Sequence, residues 1–160
     1  MTIKKTLAAL VLASLSATII AFTGARSSVS AEGVNAPQLE GTWEVTVLPN
    51  GGSTVVDIAT FTSGGGVINT DPDPNLSAGL GTWVKTGGNE YAVTFVHFLS
   101  DHGTAQGTLK VRAEMQLDKN TDTFSGPFRT DVIIGGNVVQ SICGTVQARR
   151  MNVEPVEACP

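Results

Sequence analysis

The stretch Gly107–Leu117, with the sequence GTLKVRAEMQL, decides the fold of this chain. Apolar residues alternate with polar ones along its length, and the apolar set is Leu109, Val111, Ala113, Met115 and Leu117. A period of two is the pattern of a β-strand that buries one face. The stretch therefore predicts a strand whose other face, with Lys110, Arg112 and Glu114, is solvated.

Seven further stretches have strand-like composition, and turns rich in Gly, Asn, Asp and Pro separate them. They are Thr42–Leu48, Thr54–Thr62, Val67–Thr70, Leu80–Lys85, Glu90–Leu99, Phe124–Ile134 and Val138–Arg150. After residue 32, no stretch of ten residues keeps a helical period without a glycine or a strong turn signal. The chain is therefore predicted to be all-β.

Eight strands joined by short loops favour an antiparallel up-and-down barrel. Closure removes every exposed edge, and a barrel of about eight strands has room inside for side chains or one small ligand. A β-sandwich is the main alternative, although it usually needs longer crossovers than these loops supply.

The composition agrees with a single packed domain. The chain has 160 residues, of which 41% are hydrophobic and 15% charged, with 18 glycines. Disordered, collagen-like and coiled-coil chains have other compositions. The glycines also argue against a helical bundle, because each costs about 1 kcal/mol inside a helix. We expect one barrel domain over residues 32–160, with a C-terminal tail at 151–160.

Residues 1–31 have the three parts of a secretory signal peptide. Lys4 and Lys5 precede an apolar run, Leu7–Phe22, and Val29-Ser30-Ala31 fits the small-x-small cleavage pattern. Thr23-Gly24-Ala25 is the alternative cleavage site, and an uncleaved N-terminal anchor is the alternative to cleavage. The run is shorter than the roughly 20 residues of a membrane span. We expect a secreted or periplasmic protein without a membrane span after cleavage.

The charge of the remaining chain disfavours one class of partner. Residues 32–160 contain seven basic and fourteen acidic residues, a net charge of −7. An acidic domain without a basic run repels a phosphate backbone. Nucleic-acid binding is therefore not expected.

Two cysteines in an exported chain predict a disulfide between Cys143 and Cys159. The bond would close a loop of about sixteen residues and stabilise the fold by roughly 3 kcal/mol. The alternatives are two free thiols or an intermolecular bond through Cys159.

Three short motifs resemble those of the lipocalins and the wider calycin group. Gly41-Thr42-Trp43 is similar to the Gly-x-Trp signature that opens the first strand, and Thr130-Asp131-Val132 resembles Thr-Asp-Tyr, with Val132 in place of the tyrosine. Arg150 looks like the arginine that packs over the tryptophan at the closed end. The resemblance implies structural roles for Gly41, Trp43 and Arg150. A looser similarity extends to exported barrels of the allene-oxide-cyclase and dirigent type, some of which bind or cyclise apolar molecules.

Few residues could carry chemistry. His97 and Tyr91 are the weak catalytic candidates, and Asp101-His102 and Asp71-Pro72-Asp73 are expected to be solvated turns. No nucleophile elbow, phosphate loop, calcium loop or zinc pattern is present in the sequence, so no metal or cofactor is expected.

These observations predict a barrel that binds a small apolar molecule. The predicted ligand-binding residues are Trp43, Tyr91, Phe95, His97, Met115 and Phe128. Such a site should have a volume of roughly 300 Å³ or more. The alternatives are a cyclase or isomerase that acts on an apolar substrate, and a packed barrel that works through its surface. Because Glu90–Leu99 is apolar on both faces, an external contact through it, such as a homodimer interface or a covering tail, is also expected.

Overall fold

The computed structural model describes residues 39–118, 120 and 122–159, and the predicted signal peptide lies outside them. The described chain is all-β. Its eight strands are β1 (Gly41–Pro49), β2 (Val55–Phe61), β3 (Gly66–Thr70), β4 (Gly79–Gly87), β5 (Glu90–Asp101), β6 (Thr104–Asp118), β7 (Thr123–Ile134) and β8 (Asn137–Arg150). Within these residues there is no helix long and apolar enough to cross a membrane.

The strands form one closed antiparallel barrel in sequence order, which confirms the predicted up-and-down topology. Strands β1 and β8 close it, with Val47 opposite Val146. On β6 the alternating stretch lies as predicted, with Ala113, Met115 and Leu117 buried inside. Strand β5 has apolar residues on both faces. Tyr91, Val93 and His97 point inwards, while Phe98 lies outside and is 66% exposed.

The barrel has a closed end, defined here by Leu39, Trp43, Leu117, Phe124 and Arg150. Leu39 and Trp43 are completely buried, and the Trp43 indole N–H donates a hydrogen bond to the Leu39 carbonyl at 2.8 Å. The rings of Trp43 and Phe124 lie 4.9 Å apart. Apolar side chains and a satisfied indole therefore fill this end.

Arg150 covers the closed end from outside the core. Its guanidinium lies 4.2 Å from the centre of the Trp43 ring, the contact that the resemblance to calycins implies. Arg150 also donates hydrogen bonds to the Glu40 carbonyl and to Asp122. Gly41 makes room for it, because a Cβ there would lie 2.6 Å from an Arg150 nitrogen, and its φ of +118° favours glycine.

The predicted disulfide is not formed, since Cys143 and Cys159 are both free and exposed. Cys143 lies within β8, opposite Arg129, and the strand continues for seven residues to Arg150. At about 3.4 Å per residue, these residues carry the chain more than 20 Å away from Cys143. Cys159 belongs to an exposed segment beyond the strand, so proximity in sequence does not bring the thiols together.

The outer face carries an apolar patch formed by Ile68, Leu80, Val96 and Phe98. Register places Ile68 beside Leu80 and Leu80 beside Val96. Leu80 is 61% exposed. A homodimer through this face stays a prediction.

Candidate functional site

A cavity of about 130 Å³ lies inside the barrel, in the half opposite the closed end. We call this half the open end, because β1 runs from Trp43 to Pro49 towards it and the loop between β3 and β4 joins the strands there. Leu76 and Asp71 of that loop line the cavity. Most of the remaining lining is aliphatic or aromatic.

Aromatic rings separate the cavity from the closed end. Phe124 lines the cavity and also packs against Trp43, and Phe61 lies 6.1 Å from Phe124. These rings therefore lie between the cavity and Trp43. The cavity is smaller than the roughly 300 Å³ expected of a typical ligand pocket.

Four of the six predicted ligand-binding residues line this cavity: Phe95, His97, Met115 and Phe128. Trp43 and Tyr91 do not line it. Tyr91 is 3% exposed and packs beside Trp83, with ring centres 5.8 Å apart. Burial raises the pKa of the Tyr91 hydroxyl. The structure thus places Trp43 and Tyr91 in the packed core.

Five polar side chains line the cavity, including Asp71 of the loop and Thr130 on β7. The other three, which we call the acceptor row, are Asp57 on β2, Asn69 on β3 and His97 on β5. Between the last two, β4 contributes Gly79, which is paired with Asn69. A Cβ on Gly79 would lie 2.8 Å from the His97 ring and from Phe95. The glycine therefore allows the imidazole to pack against the β4 backbone.

Asp57 and Asn69 are buried without a full set of hydrogen bonds. Their one mutual contact, from Asn69 Nδ2 to Asp57 Oδ2, is 3.4 Å long. Asp57 Oδ1 and Asn69 Oδ1 have no partner. An unsatisfied buried polar group costs about 1–3 kcal/mol, so these two oxygens are unusual for a wall of a folded protein.

The electrostatics of Asp57 follow from this environment. Burial raises the pKa of its carboxyl to about 6, the charge of Asp71 adds to the effect, and the contact with Asn69 opposes it. Among the described residues that line the cavity there is no lysine or arginine. The carboxylate therefore has no positive partner.

A hydrogen bond to the loop between β3 and β4 fixes the orientation of the His97 ring. Its Nδ1 lies 2.7 Å from the Ser77 carbonyl, which can only accept, so Nδ1 carries a proton. The Ser77 hydroxyl in turn accepts a hydrogen bond from the Phe98 backbone at 2.8 Å. In the neutral ring the other nitrogen, Nε2, is an acceptor.

The Asp101-His102 turn is exposed, whereas in the Asp71-Pro72-Asp73 turn Asp71 is half-buried and also lines the cavity. Asp71 and Asp73 accept hydrogen bonds from the backbone N–H two residues further on, at 2.7 and 2.8 Å, which rigidifies the loop. Asp101 and His102 contact each other at 2.7 Å on an exposed turn. Within the described part of the chain, no three His, Cys, Asp or Glu side chains form a group that could hold a metal ion.

Sequence reasoning missed Asp57 and Asn69. The signal was available in the alternation of β2 and β3, because Asp57 has the same parity as Ala59 and Phe61, and Asn69 the same as Val67. Polar residues at inward positions of a barrel strand point to a polar feature of the interior.

No protein-family model, curated protein or solved structure matches this chain. The eight-stranded barrel and the geometry of its cavity therefore carry the functional argument.

Proposed function

We propose that this protein is an exported, lipocalin-like barrel that binds one small, mainly apolar molecule in its open end. The observation that carries the proposal is the cavity of about 130 Å³, with a mainly apolar lining and a few polar groups. Ligand sites usually combine an apolar wall with a small number of polar groups that orient the ligand.

The volume limits the size of the ligand. An apolar cavity of about 150 Å³ in another protein holds benzene, which has six non-hydrogen atoms. The present cavity is of similar size. A body of about six to eight non-hydrogen atoms fits, whereas a long acyl chain or a sterol does not.

Toluene tests this proposal as a minimal probe. We expect the protein to bind it, measured by calorimetry or by chemical-shift changes of residues that line the cavity. Ala113 lines the cavity and is 9% exposed, so Ala113→Leu should fill the space and weaken toluene binding by about tenfold or more. Overpacking of this kind costs about 1–3 kcal/mol, which a denaturation curve would check.

Ala105→Leu is the matched control, because Ala105 lies on the same strand and is exposed. It should leave toluene binding unchanged. If the wild-type protein bound neither toluene nor any other small benzyl compound, the proposal would be contradicted.

An isomerase or cyclase is the second candidate, and the position of His97 favours it. The imidazole is 3% exposed, lines the cavity and has a fixed Nδ1, so Nε2 could accept a proton from a bound substrate. Removal of a general base usually lowers the rate by about a hundredfold or more. His97→Gln should therefore abolish turnover in an enzyme, whereas a binder should retain most of its affinity.

Export is supported by the basic start, the apolar run and the small residues of positions 1–31. The intact mass of the protein recovered outside the cytoplasm tests it. A mass that begins after Ala31 is expected, and a mass that retains residues 1–31 would contradict cleavage.

A further inference from the structure

We infer that the cavity selects a ligand with a positively charged hydrogen-bond donor, the ammonium group of a small aralkyl or alkyl amine. The inference rests on the proposed function, because it names the chemical class of the molecule bound at that same site. Its basis is the acceptor row, together with the absence of a cation from the cavity-lining residues of the described chain.

The acceptor row presents groups that need donors. Asp57 and Asn69 are 7% and 3% exposed, and each has one oxygen without a hydrogen-bond partner. His97 Nδ1 donates its proton to a hydrogen bond with the Ser77 carbonyl, so Nε2 is an acceptor in the neutral ring. A ligand head that only accepts hydrogen bonds would leave these groups unsatisfied, whereas a donor head would satisfy them.

The charge of the cavity lining favours a positively charged donor over a neutral or negative one. Asp57 and Asp71 both line the cavity, and their charges repel each other. Arg112 on β6 and Arg129 on β7 both contact Asp131 on the outer face. An ammonium ion brought to Asp57 would thus find an uncompensated carboxylate, and a carboxylate ligand would be repelled.

The ammonium group also matches the available geometry. It carries three donors, so one group can contact the oxygens of two neighbouring side chains. Asp57 and Asn69 lie within 3.4 Å of each other through their side chains, and thus both belong to one contact site. The remaining wall, with Phe95, Val111 and Phe128, accepts the apolar body of the same molecule.

A matched series of probes tests the inference by calorimetry at neutral pH: toluene, benzyl alcohol, benzylamine and benzoate. They share a phenyl ring and differ in the head. Hydrogen bonds to charged groups give roughly a tenfold or larger gain in affinity. We expect benzylamine to bind about tenfold or more tighter than toluene, and benzoate to bind more weakly than toluene.

Asp57→Asn provides the second arm, because it removes the charge and keeps the shape. It should bring the ratio of the benzylamine affinity to the toluene affinity close to one. Asp101→Asn is the control, since Asp101 is an exposed carboxylate on a surface turn, and it should leave the whole series unchanged.

The outcomes separate the two proposals. If toluene and benzylamine bind equally well, or if Asp57→Asn leaves their ratio unchanged, the ammonium inference is overturned while the binding cavity stands. If benzyl alcohol binds as tightly as benzylamine, the requirement for positive charge is overturned. If no probe binds, both the inference and the proposed function are overturned.

Discussion

The two ends of this barrel treat polar groups in opposite ways. At the closed end, the Trp43 indole donates to Leu39, and the Arg150 guanidinium covers the ring. At the open end, Asp57 and Asn69 are almost as deeply buried, yet each has an oxygen without a partner. The closed end therefore stabilises the fold, while the open end, at the proposed ligand site, leaves buried polar groups unsatisfied at a cost in stability.

Two aspartates on opposite sides of the barrel wall show the same contrast. Asp131 faces outwards and is 3% exposed. Its hydrogen bonds with Ser141, Arg129 and Arg112 hold the pKa of its carboxyl well below the usual range. Asp57 faces inwards, where burial raises its pKa to about 6. The same residue type is therefore satisfied outside and left unsatisfied inside.

The largest expected effect is at the closed end. Trp43→Ala should lower the free energy of unfolding by about 3–5 kcal/mol, because it removes a completely buried indole and leaves a cavity. Urea denaturation followed by circular dichroism measures the loss. Phe98→Ala is the control, since Phe98 is 66% exposed, and it should change stability by about 0.5 kcal/mol or less. Equal losses of unfolding free energy in both variants would contradict the stabilising role of the closed end.

At the open end we expect a substitution to raise the free energy of unfolding instead of lowering it. Asp57→Asn should raise the free energy of unfolding at pH 7.5 by about 1–3 kcal/mol, because it removes a carboxylate whose ionisation burial disfavours. The pKa of Asp57 is about 6 in the folded chain against a reference of 3.8, so the folded state binds the proton more tightly. The wild-type carboxyl therefore does not lower the free energy of unfolding below pH 3.8, and it lowers it by the full amount above pH 6.

Denaturation curves of wild type and Asp57→Asn at pH 3.5 and pH 7.5 check this dependence. The advantage of the variant should be present at the higher pH and vanish at the lower one. Asp71 and His97 are the other titratable groups lining the cavity, and they are common to both proteins. A variant that is less stable than wild type at pH 7.5 would show that Asp57 has a stabilising partner.

A smaller loss is expected for Arg150→Lys. The lysine keeps the charge but loses the planar group that packs on Trp43 at 4.2 Å and donates to Glu40 and Asp122. We expect a loss of about 1–2 kcal/mol, measured by urea denaturation. No loss at all would mean that the indole, and not the guanidinium, stabilises this end.

The smallest effect is expected at the two exposed thiols. Cys143 and Cys159 are free and exposed, so replacing both by serine should change stability by about 0.5 kcal/mol or less. A thiol reagent should label both cysteines in the native, unreduced protein. A protein that resists labelling until it is reduced would restore the disulfide that cysteine spacing predicts.

The sequence predicts the strands well because alternation and turn residues are local signals. All eight strands lie within a few residues of their predicted bounds, and the inward face of β5 carries Tyr91 and His97 as predicted. The volume of the cavity could not be predicted from the sequence, because it depends on how Phe61, Phe124 and Phe128 from different strands interdigitate. Cysteine spacing likewise counts residues along the chain and not distances across a barrel wall.

The most direct test of the account is the location of a bound probe. A titration with benzylamine, followed by the backbone and indole N–H signals in two-dimensional NMR, reports on both ends at once. We expect the signals of Asp57, Asn69 and His97 to shift, while the signal of the Trp43 indole N–H, which is hydrogen-bonded to the Leu39 carbonyl, stays in place. Shifts centred on Trp43 and Leu39, or on the exposed Phe98, would contradict a binding site at the open end.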